Sequence, residues 1–495
     1  MALDRTVGPP AASPVVGPTG AYRRWLLLVV MLAQVCVVLA ASLPDAVPVP
    51  PAAEPRIDPD DVLWAARAHL LALGALLLPA GRLADHVGPR RMFTVGLIGL
   101  AGASLVVGTV GGRGPLFAGR ALQGGFGALV LTAGPALLLA ARPERAERDR
   151  ALGLYAGVTA AGGGLAVLVT GALGDDNRRA LPVAQAVLLG VLALAVVRLF
   201  ARHPEPARAQ IPGFDLPGAL TATAGVGCVL YGCLRIESPG GSGTTWLVPA
   251  VGGVLLVVFA RRQALAGTAL LPPRIPLNRD RGAALLGLAV GGTATLGTVR
   301  FVAVYLHSGG PGLTAAQVGP RLLPLVLPLL LTAPLAAGPL LRRFGAKTLV
   351  PLALGLCCVG FVPLYGLDQD SAYPTNVVPA LLLIGFGAGL AVGPCLSVAV
   401  NGVRAVGAGM GAAIGACVPG AVIGVSVPAR ATVDAFRLTG ARDWGANPMK
   451  PSTAVVGARL APVYEWTGVL LALAAVATAV LFSPRSRAVA PTNDA

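Results

Sequence analysis

Residues 62–110 read VLWAARAHLLALGALLLPAGRLADHVGPRRMFTVGLIGLAGASLVVGTV: two apolar runs, 62–79 and 92–110, joined by a short stretch that carries Arg82, Arg90 and Arg91. Each run is close to the ~20 residues that a helix needs to cross a bilayer. Lipid offers no partner to a bare amide, so such runs must close their hydrogen bonds within themselves as helices. The same pattern recurs outward in both directions, at about 25–43, 115–141, 151–173, 181–200, 216–234, 246–260, 282–307, 318–341, 349–367, 377–400, 403–427 and 464–482. The expectation is an all-α polytopic membrane protein with fourteen transmembrane helices.

The totals agree. Of 495 residues, 55% are hydrophobic and 12% charged, about half the charge of an ordinary soluble domain. The net charge of +16 comes mainly from arginines in short connections, without a basic tract that interleaves aromatics, so nucleic acid is not an expected partner. The seven cysteines, Cys36, Cys228, Cys233, Cys357, Cys358, Cys395 and Cys417, lie in apolar runs without metal-ligand spacing. No metal or cofactor is expected. HExxH, GxSxG and the phosphate-loop pattern GxxxxGK[ST] are absent, which argues against an enzyme and against ATP as the energy source. The Pro-, Gly- and Ala-rich first 21 residues lead into a run that no small-residue cleavage site closes, and it reads as an uncleaved first span.

Arginine placement gives orientation, because loops on the cytoplasmic side keep Lys and Arg. With the N-terminus inside, inner segments hold 24 of the 38 basic residues and outer loops hold nine, five of these in the long loop 428–463. Outer loops also carry acid, as in Asp45, Glu54, Asp58, Asp60 and Asp61. Both termini are therefore expected in the cytoplasm, with the protein in the plasma membrane.

An internal repeat runs through the chain. GRLADHVG at 81–88 recurs as GPLLRRFG at 338–345, and GFGA at 125–128 with Gly134-Pro135 recurs as GFGA at 385–388 with Gly393-Pro394. The offsets are nearly equal, which implies two related six-helix halves. Between such halves a transporter's substrate site would lie near the bilayer midplane. The expected segments are a tail at 1–24, a first bundle at 25–200, a linker at 201–281 with two extra helices, a second bundle at 282–483 and a tail at 484–495.

The string Gly81-Arg-Leu-Ala-Asp85-His-Val-Gly88-Pro-Arg90-Arg91 resembles the loop signature of the major facilitator superfamily. With Arg120-Ala-Leu-Gln123-Gly124, Trp64 and Phe214-Asp215-Leu-Pro-Gly218, the chain resembles the fourteen-span drug:proton antiporter branch over nearly its whole length. The resemblance implies alternating access, export of a small amphipathic drug or natural product, antibiotic resistance, and coupling to protons. Asp85 would latch the inner face by capping a helix of the other half, since a carboxylate is stabilised at a positive helix N-terminus. Pro89 and His86 depart from the family pattern, and Arg342 stands where the second copy would carry its acid.

Arg120 lies inside a span, where a charge costs at least ~2.5–3.5 kcal/mol and marks a pathway or a buried partner. In the resembled family this arginine takes part in coupling, near an acid of the first span. Here that position is Ala40, and no Asp or Glu stands at the middle of a span. The fifth span keeps Gly162, Gly163, Gly164 and Gly171 of the antiporter signature but has Ala166-Val167 for its Gly-Pro pair. Small residues there permit close helix packing with or without a coupling role. Arg67, His69 and Arg300 are the remaining coupling or cavity candidates. Arg67 and Arg300 stand near enough to the outer end to snorkel to the interface. Should Arg120 face the cavity, these cations would favour a cargo with an anionic group, and His69 would be a titratable proton carrier. The composition leaves a second reading open, a non-transporting membrane receptor or assembly protein on a decayed transporter scaffold, favoured by the missing acid and the long basic outer loop.

Overall fold

The computed structural model describes residues 20–42, 59–142, 144–173, 180–203, 213–236, 244–266, 269–271, 277–306, 313–364, 367, 371–400, 411, 415 and 469–483. The loop 428–463, both extreme termini, His307 and nearly all of the expected span at 403–427 lie outside the described residues.

The apolar runs are helices, as the hydrogen-bond argument requires. In chain order they are α1 (Gly20–Ser42), α2 (Pro59–Val87), α3 (Pro89–Thr109), α4 (Arg113–Ala140), α5 (Arg145–Leu173), α6 (Ala180–Ala201), α7 (Leu216–Ile236), α8 (Thr244–Leu265) and α9 (Arg279–Val304). They continue as α10 (Ala316–Phe344), α11 (Ala346–Leu364), α12 (Tyr373–Val400) and α13 (Val469–Leu481). Eleven of the described helices are long and apolar enough to cross a membrane, and Leu216–Gly232 and Val469–Leu481 are shorter apolar helices. Ser483 and Asp280 hydrogen-bond, so α13 ends on the face where α9 begins. That placement is consistent with fourteen crossings.

The signature is not a loop. Residues 81–87 are the last two turns of α2, because nothing in GRLADHV breaks a helix before Gly88-Pro89. The whole reversal into α3 rests on Gly88, at φ 112° and ψ 135°, a backbone state that side chains disfavour. The repeat uses the same device, for Gly345 sits at φ 77° and ψ 159° between α10 and α11. The end of the molecule that carries both glycines is called the motif face below.

Packing follows the repeat as well. On α4, a Cβ at Gly124 would lie 2.2 Å from the His69 carbonyl oxygen of α2. On α12, a Cβ at Gly385 would lie 2.4 Å from the Leu325 carbonyl of α10, and at Gly393 2.3 Å from that of Ala333. Gly385 and Gly393 belong to the sequence repeat and Gly124 stands one residue before its first copy, so equivalent helix pairs come into backbone contact in both halves, at glycines offset by a residue in the first. Between the halves, Gly153 of α5 faces Ala333, Pro334 and Ala337 of α10 near the motif face. Toward the opposite face Gly319 packs on Leu168, so α5 and α10 touch along most of their length.

Candidate functional site

A guanidinium in an apolar interior needs acceptors, and the helix packing at Gly124 sets Arg120 among three helices. The residue is 2% exposed. Its Nη1 donates to the Ala40 carbonyl of α1 at 2.6 Å and to Gln123 Oε1 at 2.9 Å. Gln123 Nε2 donates in turn to Ser104 Oγ of α3 at 2.9 Å. A chain of charge-assisted and neutral hydrogen bonds therefore ties α1, α4 and α3. The position where the resemblance leads one to expect an acid does meet the arginine, through its backbone oxygen instead of a side chain.

These bonds make Arg120 and Gln123 a junction between α1, α3 and α4. Arg67 corrects the snorkelling expectation. It is 5% exposed, with its guanidinium 4.7 Å from the centroid of the Trp64 ring, because an aromatic face one turn away is a closer partner than the interface. Arg300 is half-buried on α9. His69 is fully buried, and neither ring nitrogen has a hydrogen-bond partner among the described residues.

The glycine run of α5 separates three neighbours within one turn. Gly162 faces Val38 of α1, Gly163 faces Leu296 and Val299 of α9, and Gly164 faces Val326 of α10. Gly171 is buried near the end of the same helix. The run makes α5 the element on which both halves meet.

At the motif face the residues of the signature divide. Gly81 and Gly88 are buried and Asp85 is half-buried. Gly411, from the expected span at 403–427, faces the Leu77 carbonyl, about two turns before Asp85. Arg90 turns into its own half. It donates to the His203 carbonyl and to the Tyr22 hydroxyl at 3.3 Å, and its guanidinium is 4.9 Å from the centroid of the Phe200 ring, which ties α3 to α1 and α6. Arg91 is exposed.

The charge-based search passed over buried amides. Gln34 of α1 donates to Thr159 Oγ of α5 at 2.8 Å, and Gln185 of α6 donates to the Cys36 carbonyl at 2.6 Å. Each keeps a buried side-chain oxygen without a partner among the described residues. The signal was present, since a glutamine at the centre of a bilayer span is itself costly.

The sequence profile of the Major Facilitator Superfamily matches residues 30–425. The puromycin resistance protein pur8 of Streptomyces alboniger is 32% identical over 484 residues, 96% of this chain and 94% of that protein. The cephamycin export protein CmcT of Amycolatopsis lactamdurans is 30% identical over 350 residues, covering 70% and 71% of the two chains. The tetracenomycin C resistance and export protein of Streptomyces glaucescens is 28% identical, covering 77% and 70%. The human organic anion transporter MFSD10 (TETRAN) superposes with a TM-score of 0.56 at 17% identity, over 92% of this chain and 99% of that one, a likeness of fold alone. Helices, repeat and relatives agree: the chain belongs to the Major Facilitator Superfamily, and it is a multi-pass secondary transporter, not an enzyme.

Proposed function

We propose that the protein exports an amphipathic natural product or drug across the plasma membrane by alternating access, with both termini in the cytoplasm and protons as the coupling ion. The observation that carries the reading is a resemblance along nearly the whole chain to a puromycin resistance protein, with export proteins for other antibiotics beside it. The two halves are taken as 25–200 and 282–483, with 201–281 between them. ATP and nucleic acid have no part in the cycle.

Asp85 fastens the inner face, and Arg120, Gln123 and Gly124 hold the first half rigid while it moves. Because the Ala40 carbonyl cannot take up a proton, coupling at Arg120 differs from a carboxylate pair. His69, one helix away, is the titratable group proposed to carry it, and Arg300 is the cation proposed to face the cargo. Expression in a drug-sensitive host tests the reading. Resistance to puromycin or to another of the relatives' antibiotics, lost with Arg120→Ala at equal abundance, is expected. Unchanged sensitivity to a broad panel at full membrane abundance would refute it.

A further inference from the structure

Helices α7 and α8 have no counterpart in the repeat, yet their ends at the motif face are built around a buried carboxylate. Asp215 Oδ1 accepts from Nε and Nη2 of Arg262 at 3.0 and 2.9 Å and from the Gly218 amide at 3.0 Å, and Oδ2 accepts from Gln263 Nε2 at 2.9 Å. The Asp215 side chain is 2% exposed, so these donors replace water. Gly218 is required beneath it, since a Cβ there would lie 2.0 Å from Oδ2. Gln263 Oε1 then accepts from the Leu271 amide at 3.0 Å, which brings the chain leaving α8 for α9 into the same cluster.

The other side of the pair lies along α2. The rings of Trp64 and Tyr231 meet at a tilt of 36° with centroids 6.1 Å apart, and Gly227 faces Ala75. Leu78, Phe214 and Leu271 pack on the cluster of Ala219, Ala222, Phe259 and Leu270. The Phe214 ring is 6.5 Å from that of His86, the residue after Asp85.

We infer that Asp215 is a positioning residue of the transport cycle: its clasp joins α7, α8 and the connection at Leu271 into one unit fixed to α2, so that the extra pair travels with the first half and anchors the point from which the second half swings. A mobile spacer would need no buried charge and no relay to the outgoing chain. The inference rests on the alternating-access reading. It makes the gate helix α2 and the start of the connection to α9 parts of one body, so that a change at the signature reaches the second half without passing through the cavity.

Spin-label distances in the full chain reconstituted in nanodiscs test it, in an active variant cleared of native cysteines. Labels at the exposed positions Arg198 on the first half, Arg261 on α8 and Lys347 on the second half are measured with and without saturating puromycin. The 198–347 and 261–347 distances are expected to shift together while 198–261 stays fixed, and Asp215→Asn is expected to broaden 198–261 and slow export at equal abundance. Should Asp215→Asn fail to accumulate, the wild-type distances still decide. A 198–261 distance that shifts while 261–347 stays fixed would overturn the inference. So would an Asp215→Asn variant with wild-type distances and export. A 198–347 distance that never moves overturns alternating access itself, and the inference with it.

Discussion

The Arg120 guanidinium has a backbone oxygen for a partner, and this sets what the residue can do. Removing it leaves the Ala40 carbonyl and Gln123 Oε1 buried without that donor, each at a cost of about 1–3 kcal/mol. Arg120→Ala is therefore expected to lower the midpoint of thermal unfolding in detergent as well as abolish export. An unaltered midpoint would remove the fastening role. Asp85 is the contrasting case, a half-buried carboxylate at a helix end, whose loss costs roughly 1 kcal/mol or less. Asp85→Asn should reach wild-type abundance on immunoblots and still export poorly, and full export by that variant would take Asp85 out of the gate. At this scale the sequence placed the charges within the spans and was silent about their partners. The spacing of Arg120, Gln123 and Gly124 marked the site. That Ala40 would answer through its carbonyl depends on how closely α1 approaches α4, which no residue type encodes. Gln34 and Gln185 were overlooked because the search followed charge, whereas the bilayer penalises any unpaired polar group.

Helices in this protein meet where side chains are absent. Gly124 holds α4 against the His69 carbonyl, so Gly124→Ala places a methyl 2.2 Å from a backbone oxygen. Overpacking of that kind costs about 1–3 kcal/mol. Membrane abundance of Gly124→Ala should fall, while Gly102→Ala, where no heavy atom lies within 4 Å, should express as wild type. The clasp of α7 and α8 responds to pH in a defined direction. Burial pushes the Asp215 carboxyl up, but the hydrogen bonds from Arg262, Gly218 and Gln263 and the Arg262 charge outweigh it and hold the group below the usual carboxylate range. A native value below the unfolded one, ~3.9, stabilises above that pH and loses its contribution as pH falls through the native value. The difference in unfolding midpoint between wild type and Asp215→Asn should stay constant at neutral pH and shrink below about pH 4. Element boundaries illustrate what hydropathy misses. The signature looked like a loop because it is polar, but α2 continues past Pro79 and through the signature, and it stops only at Gly88-Pro89.

As a whole, the molecule is one helical plan used twice, and the repeat could be read in advance because its glycines do mechanical work in both copies. Gly88 and Gly345 turn the chain in both copies, Gly385 and Gly393 seat one helix on another in the second, and in the first that backbone contact falls to Gly124, just before the repeated GFGA. The copies have diverged where function is asymmetric. Asp85 has Arg342 as its counterpart, so the acid of the signature stands in one half alone. How the halves sit together was not legible, because α5 meets α1, α9 and α10 through a run of glycines that sequence alone could assign only to packing in general. Export by alternating access is the central claim, and accumulation of drug in everted membrane vesicles tests it most directly. Vesicles holding the wild-type protein should concentrate a labelled antibiotic of the relatives' classes when a proton gradient is imposed. They should lose it on adding an ionophore, and vesicles with Arg120→Ala at equal abundance should concentrate none. Vesicles that concentrate no compound of those classes, or that do so equally with Arg120→Ala, would contradict the account.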